Sequence, residues 1–283
     1  VNNHPQACSR IDYWSIRAQR PGATTPPGLA SPQDLQPFSK YARELRHAQN
    51  ASGKRGLILG STRQTVDWCR ENGLRVALMD FSEPSAGRIL SAHRDWDDLD
   101  ILIDDWLSTG EPDGSFCWAA GDGVVAASGS GREARRLFRQ IQRLLIPGSI
   151  VILRHFVRPD PTPCASEIFA RLEAGKIYSF SALRIRLAQA LQGSFKDGIY
   201  TRDVCRVLDE NGMLDEHCIE RFGWDRSNVT ALDSWKVEGV SLCYPTLEEL
   251  RDLAHPFFQE LEVHYGTYEM AELCPTIVYR TRI

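Results

Sequence analysis

Long apolar runs are missing from the sequence. No stretch of its 283 residues approaches the roughly 20 that a helix needs to cross a bilayer, so no membrane association is expected. The first residues, VNNHPQACSR, carry no charged-then-apolar leader pattern. Excess positive charge is missing too. Lys and Arg number 33 against 37 Asp and Glu, for a formal net charge of −4 and a pI of about 6.0. Without a global positive field, nucleic acid is disfavoured as a partner. The eight cysteines, at positions 8, 69, 117, 164, 205, 218, 243 and 274, form no CxxC pair. That removes the signatures of a zinc ribbon and of a dithiol centre, and no metal is expected. Single cysteines in apolar surroundings read as buried, reduced thiols of a cytoplasmic protein. Glycine is scarce at the place where it would say most. After Gly60 the next glycine is Gly73, so the G-x-G-x-x-G turn that cradles a dinucleotide pyrophosphate is not present.

What is present is alternation. Residues 1–50 form a candidate N-terminal lid, with aromatic and basic islands (Tyr13, Trp14, Arg17, Arg20), the connector PGATTPPG, and a helix expected from Ser31-Pro32 to about Ala48. From Arg55 the segments RGLILG, LRVALMD, LDILIDD, SFCWAAG and IVILRHF read as buried strands. The segments RQTVDWCREN, EPSAGRILSAHR and GREARRLFRQIQRLL read as helices between them. Ser130 and Glu133 form a capping-box pattern before the last of these. Its arginines, 132, 135, 136, 139 and 143, fall mostly off the apolar face and read as solvated surface. Alternating strands and helices predict an α/β fold, a mostly parallel sheet covered on both faces. Residues 161–235 offer helical segments near 164–174, 179–192, 202–211 and 214–222 but no strand, and read as a helical insertion. TLEELRDLAHPF opens on a second capping box, Thr246 and Glu249, and FQELEVHYGTYE and PTIVYRTRI predict an antiparallel closing pair.

In open parallel sheets ligands sit at the carboxyl ends of the strands. Here the first strand ends at Gly60 and the second at Asp80, the separation at which an acid meets ribose hydroxyls. The third ends in Asp104-Asp105-Trp106, a carboxylate beside a flat ring suited to a purine, and the fourth in Gly121-Asp122-Gly123. The turn Gly60-Ser61-Thr62-Arg63-Gln64-Thr65 lacks the later glycines a pyrophosphate needs, whereas an adenosyl ligand without phosphate demands less of it.

Over about 55–160 and again at 246–283 the chain resembles class I S-adenosylmethionine-dependent methyltransferases. LILGSTRQTVDW is similar to a divergent form of their first motif and VALMDFSE to the second. IDDW and AAGDGVV resemble the next two strand ends, LFRQIQRLLIPGSIVILRHF the helix, turn and fifth strand, and YGTYEMAELCPTIVYRTR the final hairpin. The resemblance implies a Rossmann-like seven-stranded sheet from residues 51–160 and 236–283, with 161–235 as an acceptor cap. It also implies that S-adenosyl-L-methionine binds and S-adenosyl-L-homocysteine leaves. Gly60, Ser61 and Thr62 would line the methionine end, Asp80 would hold the ribose with Phe81 and Ser82 close by, Asp105 and Trp106 would take the adenine, and Asp122 and Gly123 would flank the methionine amino group or the reacting centre. Gly-Asp-Gly-Val stands where base and amide methyltransferases carry (D/N)-P-P-(Y/F/W), so those acceptors are disfavoured.

The expected activity is transfer of a methyl group to an oxygen or nitrogen of a small molecule, by a monomer or homodimer. An NAD-dependent oxidoreductase and a non-catalytic scaffold are the alternatives. His155, at the end of the fifth strand, is the candidate base, since an imidazole titrates near neutrality. Tyr13, Trp14, Arg158, Tyr178 and Arg184 are the candidate acceptor contacts. Arg184 and Arg186 fall on different helix faces, so at most one of them points inward. Strand alternation likewise sets Arg154 and His155 on opposite faces.

Overall fold

Two helices precede the alternating region, α1 (Pro5–Gln19) and α2 (Gln36–Ser52). A computed structural model of the protein describes residues 5–19 and 25–282; Arg20 and the first half of the PGATTPPG connector lie outside them. The second helix starts later than Ser31-Pro32 predicts, because Ser31 caps a turn of its own. Its Oγ accepts from the N–H groups of Gln33 (3.2 Å) and Asp34 (3.3 Å), and the Asp34 carboxylate accepts from the Ser31 N–H at 2.7 Å. Pro37, with no N–H to lose, then occupies the first turn of α2.

The predicted alternation follows as β1 (Arg55–Leu59), α3 (Arg63–Glu71), β2 (Val76–Asp80), α4 (Glu83–Ala92), β3 (Leu99–Ile103) and β4 (Phe116–Asp122). After α5 (Val124–Ser128) and α6 (Gly131–Leu144), β5 (Leu145–Arg154) runs beside β4. In α6, Ala134, Leu137, Phe138, Ile141 and Leu144 are buried. The Ser130 hydroxyl accepts from the Glu133 N–H at 3.3 Å, but the Glu133 carboxylate faces Arg136 (3.8 Å), so one half of the expected capping box forms. Four of the five arginines are exposed. Arg143 instead reaches the β3–β4 loop, donating to the carbonyls of Glu111 (2.7 Å) and Thr109 (3.1 Å).

The insertion comprises α7 (Ala165–Glu173), α8 (Phe180–Leu191), β6 (Ile199–Tyr200), α9 (Thr201–Glu210), α10 (Glu216–Phe222), α11 (Arg226–Thr230), a 3-10 turn (Ala231–Lys236) and β7 (Ser241–Leu242). β6 pairs antiparallel with β7, so the segment is not wholly without strand, and its small sheet carries it past the expected boundary at residue 235 to Leu242. Two-residue strands are too short to show an alternating pattern. Thr246 and Glu249 complete a reciprocal box at the start of α12 (Leu247–Ala254), and β8 (Phe258–His264) and β9 (Thr276–Thr281) close the chain.

The large sheet has the order β3-β2-β1-β4-β5-β9-β8, with β1 to β5 parallel and β9 antiparallel to both its neighbours. Side chains alternate between two apolar layers. Ile58, Leu78, Ala120 and Ile152 pack against α2, α3 and α4 through Phe38, Leu45, Val66 and Ile89. Leu57, Met79, Ala119 and Leu153 pack against α6 and the insertion through Phe138, Ile168, Leu183 and Val204. Register aligns the strand ends along one edge. Leu59 pairs with Met79 and Gly121, Asp80 with Ile103, and Asp122 with Arg154. Strand order reverses at β1, between β2 and β4, which opens a crevice at that edge.

Candidate functional site

A cavity of about 560 Å³ occupies the crevice, within the range of small-molecule sites. Its floor is the strand edge: Gly60, Ser61, Thr62, Asp80, Trp106, Asp122 and Gly123. Its roof comes from outside the sheet, with Tyr13, Trp14 and Arg17 from α1, Arg184 and Ile185 from α8, and Trp235, Leu242 and Tyr244 from the end of the insertion. Two bonds hold α1 over α4. The Ser85 hydroxyl donates to the Trp14 carbonyl (3.4 Å) and Arg88 donates to the Ala18 carbonyl (2.8 Å).

The floor is tied together by its own polar groups. Gly60 leaves β1 at φ +82°, and a Cβ there would stand 3.3 Å from the Trp106 ring, so glycine is required both for the turn and for the close approach. Gly123 is held likewise, at φ +64° with a Cβ position 2.9 Å from Phe156. All three N–H groups of the turn after β1 are engaged within the protein. Gly60 donates to the Met79 carbonyl (2.9 Å), Ser61 to Asp80 Oδ2 (3.0 Å) and Thr62 to the Gly60 carbonyl (2.9 Å). Asp80 also accepts from the Ser61 hydroxyl (2.7 Å) and, on Oδ1, from the Ser82 N–H (2.8 Å). Burial raises its pKa above the usual carboxylate value, against the pull of these three bonds.

Across β1 from Asp80, at the end of β4, the Asp122 carboxylate meets Arg154 at 2.8 Å. Arg154 is 3% exposed; it contacts Asp34 (3.2 Å) and donates to the Pro27 carbonyl (2.8 Å) and the Tyr268 hydroxyl (3.1 Å). Burial opposes its charge, but Asp122 and its other partners outweigh that and raise its pKa. Asp34 and Tyr268 were not singled out by sequence reading. The Ser31–Asp34 turn is visible locally, but nothing in it announces a partner at position 154.

Of the other predicted site residues, most fall elsewhere. Ser82 caps α4, its hydroxyl accepting from Ser85 N–H at 3.4 Å, and Phe81 packs 6.1 Å from Trp106; neither lines the cavity. Asp105 caps the turn after β3, accepting from the Leu107 N–H at 3.0 Å, and also lies outside the lining. Trp106 lines the cavity, but its indole N–H is bound to the Met79 carbonyl at 2.9 Å, which fixes the ring beneath Gly60. His155 is not at the site. Alternation along the strand turns it away from Arg154 and buries it completely against β9, with Nε2 3.3 Å from the Tyr279 hydroxyl. Burial lowers its pKa to about 3, so it stays neutral and has no access to an acceptor. Arg158 is bidentate on Glu249 (3.1 Å to each oxygen), and Tyr178 is 63% exposed outside the cavity.

Arg184 faces the cavity, whereas Arg186 pairs with Glu272 at 2.7 Å. Trp235, Tyr244, Phe156 and Arg88 are lining residues that sequence reading missed. Trp235, Tyr244 and Phe156 sit in or beside short irregular segments, where no periodicity marks a direction, and Arg88 sits on α4, on a face turned to the cavity. Among the described residues no group of three or more His, Cys, Asp or Glu side chains converges as metal ligands would.

No family model matches the sequence, and no curated protein does. The fold itself has many solved counterparts. The chain is similar to a putative Zn-dependent alcohol dehydrogenase from Rhodobacter sphaeroides, at 17% identity and TM-score 0.64 over 100% of both chains. It is similar to the CcbJ methyltransferase from Streptomyces caelestis, at 14% identity and TM-score 0.56 over 97% of this chain and 99% of that one. A SAM-dependent methyltransferase from Methanosarcina mazei matches at 14% identity and TM-score 0.50 over 81% of this chain and 93% of that one. At these identities the shared property is the fold. The chain has the Rossmann-like, seven-stranded fold of class I S-adenosylmethionine-dependent methyltransferases.

Proposed function

We propose that the protein transfers a methyl group from S-adenosyl-L-methionine to an oxygen or nitrogen of a small-molecule acceptor held between α1 and the insertion. One observation carries this choice of ligand. The turn after β1 has no free N–H among residues 60–62, while the strand edge presents the carboxylates of Asp80 and Asp122. A pyrophosphate would meet engaged donors and acidic neighbours there. A sulfonium, an ammonium and ribose hydroxyls are complementary to the same wall.

On this reading Gly60, Ser61 and Thr62 line the methionine end, Asp80 holds the ribose, and Asp122 and Gly123 flank the amino group near the reacting centre. When bound, the cofactor supplies an electrophilic methyl group that passes in line to the acceptor. The chain's own contribution is positioning. The roof residues orient the acceptor and exclude water, which supplies much of the rate in bimolecular transfers. No histidine lines the cavity among the described residues, and burial keeps the Tyr244 phenol protonated, so the residues at hand orient a nucleophile rather than remove its proton.

Calorimetry with S-adenosylmethionine, S-adenosylhomocysteine and NAD tests the proposal. Binding of the first two and not of NAD is the expected result. Binding of NAD alone would overturn it in favour of an oxidoreductase, and binding of none would point to a scaffold.

A further inference from the structure

The cavity roof contains two arginines whose charge nothing in the described protein answers. Arg184 is 5% exposed, and its Nε is buried with no acceptor. Its guanidinium lies 4.6 Å from the Trp235 ring centroid, a stacked arrangement that occupies one face of the cation and leaves its hydrogen-bonding edge unused. Arg17 reaches the same cavity from α1, with Nη1 buried and also without an acceptor. Among the described residues neither arginine makes an ion pair. The other charged side chains at the cavity are already engaged. Arg63 pairs with Asp67 at 3.3 Å, Arg88 donates to the Ala18 carbonyl at 2.8 Å, Asp122 pairs with Arg154 at 2.8 Å, and Asp80 is bound by Ser61 and Ser82.

A buried cation without a partner is among the most unfavourable arrangements a fold can hold, and a second like charge nearby makes it worse. Burial first, and Arg17 second, weigh against the Arg184 charge, lowering its pKa to about 10. The arrangement becomes favourable when an oxyanion enters between the two guanidinium groups, since charge-assisted and bidentate bonds to carboxylate or phosphate are the strong ones. We infer that Arg17 and Arg184 form the subsite for an anionic group, carboxylate or phosphate, of the methyl acceptor. The acceptor's apolar body then lies against Tyr13, Trp14 and Trp235. The inference rests on the methyl-transfer reading of the cavity. It assigns the anion to the acceptor because both arginines come from α1 and α8, outside the sheet edge at which the cofactor is placed.

The same chemistry could belong to the methionine carboxylate, and the test separates the two. Calorimetric titrations of wild type, Arg17→Gln and Arg184→Gln would use benzoate, phenyl phosphate, benzamide and benzylamine as probes, each with and without S-adenosylhomocysteine. In wild type, benzoate or phenyl phosphate should bind about tenfold tighter than benzamide or benzylamine, the scale of one charge-assisted bond. Each variant should lose that preference while S-adenosylhomocysteine affinity changes by less than about twofold. Binding of benzoate and phenyl phosphate to wild type no tighter than that of benzamide and benzylamine overturns the proposal, even where a variant does not fold. So does a loss of S-adenosylhomocysteine affinity in the variants with probe binding unchanged, which gives the arginines to the cofactor. Failure of S-adenosylhomocysteine to bind wild type defeats the methyl-transfer reading alone, because the anion preference is read without it.

Discussion

Arg154 and Arg184 are two buried guanidinium groups, one behind the cavity floor on Asp122 and one lining the roof, and they have opposite surroundings. In the floor, Arg154 lies between Asp122 and Asp34, with a carbonyl and a phenol as further acceptors. In the roof, Arg184 has a tryptophan face and a second arginine. The floor joins β4, β5, the Ser31–Asp34 turn and the β8–β9 connection in one satisfied network, so its job is finished on folding. The roof leaves buried donors unmatched, and such donors point to a ligand group that completes them. The floor is architecture, and on the proposed reading its acids also serve a cofactor while the roof selects the acceptor.

The largest effect should come from the floor. Arg154→Met leaves Asp34 (1% exposed) and Asp122 facing each other without their cation, and breaking a buried pair this way costs about 3–5 kcal/mol. Urea unfolding measures it directly. A loss below about 1 kcal/mol, the scale of a surface pair, would mean that the network is not what holds the floor together.

A third buried group, His155, sharpens the contrast by remaining neutral instead of pairing. Its folded pKa of about 3 lies below the ordinary 6.5, so the unfolded chain takes up a proton that the folded chain refuses. The stability this provides is complete above pH 6.5 and declines as pH falls toward 3. Between pH 7 and pH 5 the wild type should lose about 2 kcal/mol more than His155→Gln, at up to about 1.4 kcal/mol per pH unit. Parallel stability–pH curves for the two proteins would show that His155 titrates normally.

This same contrast marks what could be read in the sequence. The sheet was legible because β1, β2, β4 and β5 are near-continuous apolar runs bounded by turn residues, and strand ends follow once the strands are placed. Asp80 and Gly60 are therefore found at the cavity by counting. Arg184 was legible in part, since helical spacing says that it and Arg186 diverge but not which one turns inward. His155 was misread because proximity to a strand end does not say which face the residue takes, and the face toward β9 is closed. Asp105 was misread because an acid after a strand serves its own turn as readily as a ligand. Trp235 and Tyr244 were not legible at all. Their place in the roof depends on how a 3-10 turn and a two-residue strand pack, which no local pattern encodes.

Asp80 stands between architecture and ligand binding, and two substitutions separate its roles. Asp80→Ala should weaken S-adenosylmethionine binding at least about tenfold, or ~1.4 kcal/mol, the scale of a lost charged hydrogen bond. The carboxylate already accepts from the Ser61 N–H, the Ser61 hydroxyl and the Ser82 N–H, which leaves about one of its four lone-pair positions open. Ser61→Ala removes one competing donor, so affinity should hold or improve. Should Ser61→Ala weaken binding as much as Asp80→Ala does, Asp80 acts by holding the turn, and the ribose contact is lost from the proposal.

The smallest effect carries the comparison's sign. Arg154→Met should destabilise the protein, whereas Arg184→Met should stabilise it by about 1 kcal/mol, because an apolar chain of similar length replaces an unpaired buried charge. The methionine retains contact with Trp235 through its polarizable sulfur. Thermal melting of the ligand-free protein detects the shift, and addition of benzoate should narrow the gap by stabilising wild type alone. A destabilised Arg184→Met protein would mean that the arginine is held by the fold, and the roof would then be architecture like the floor.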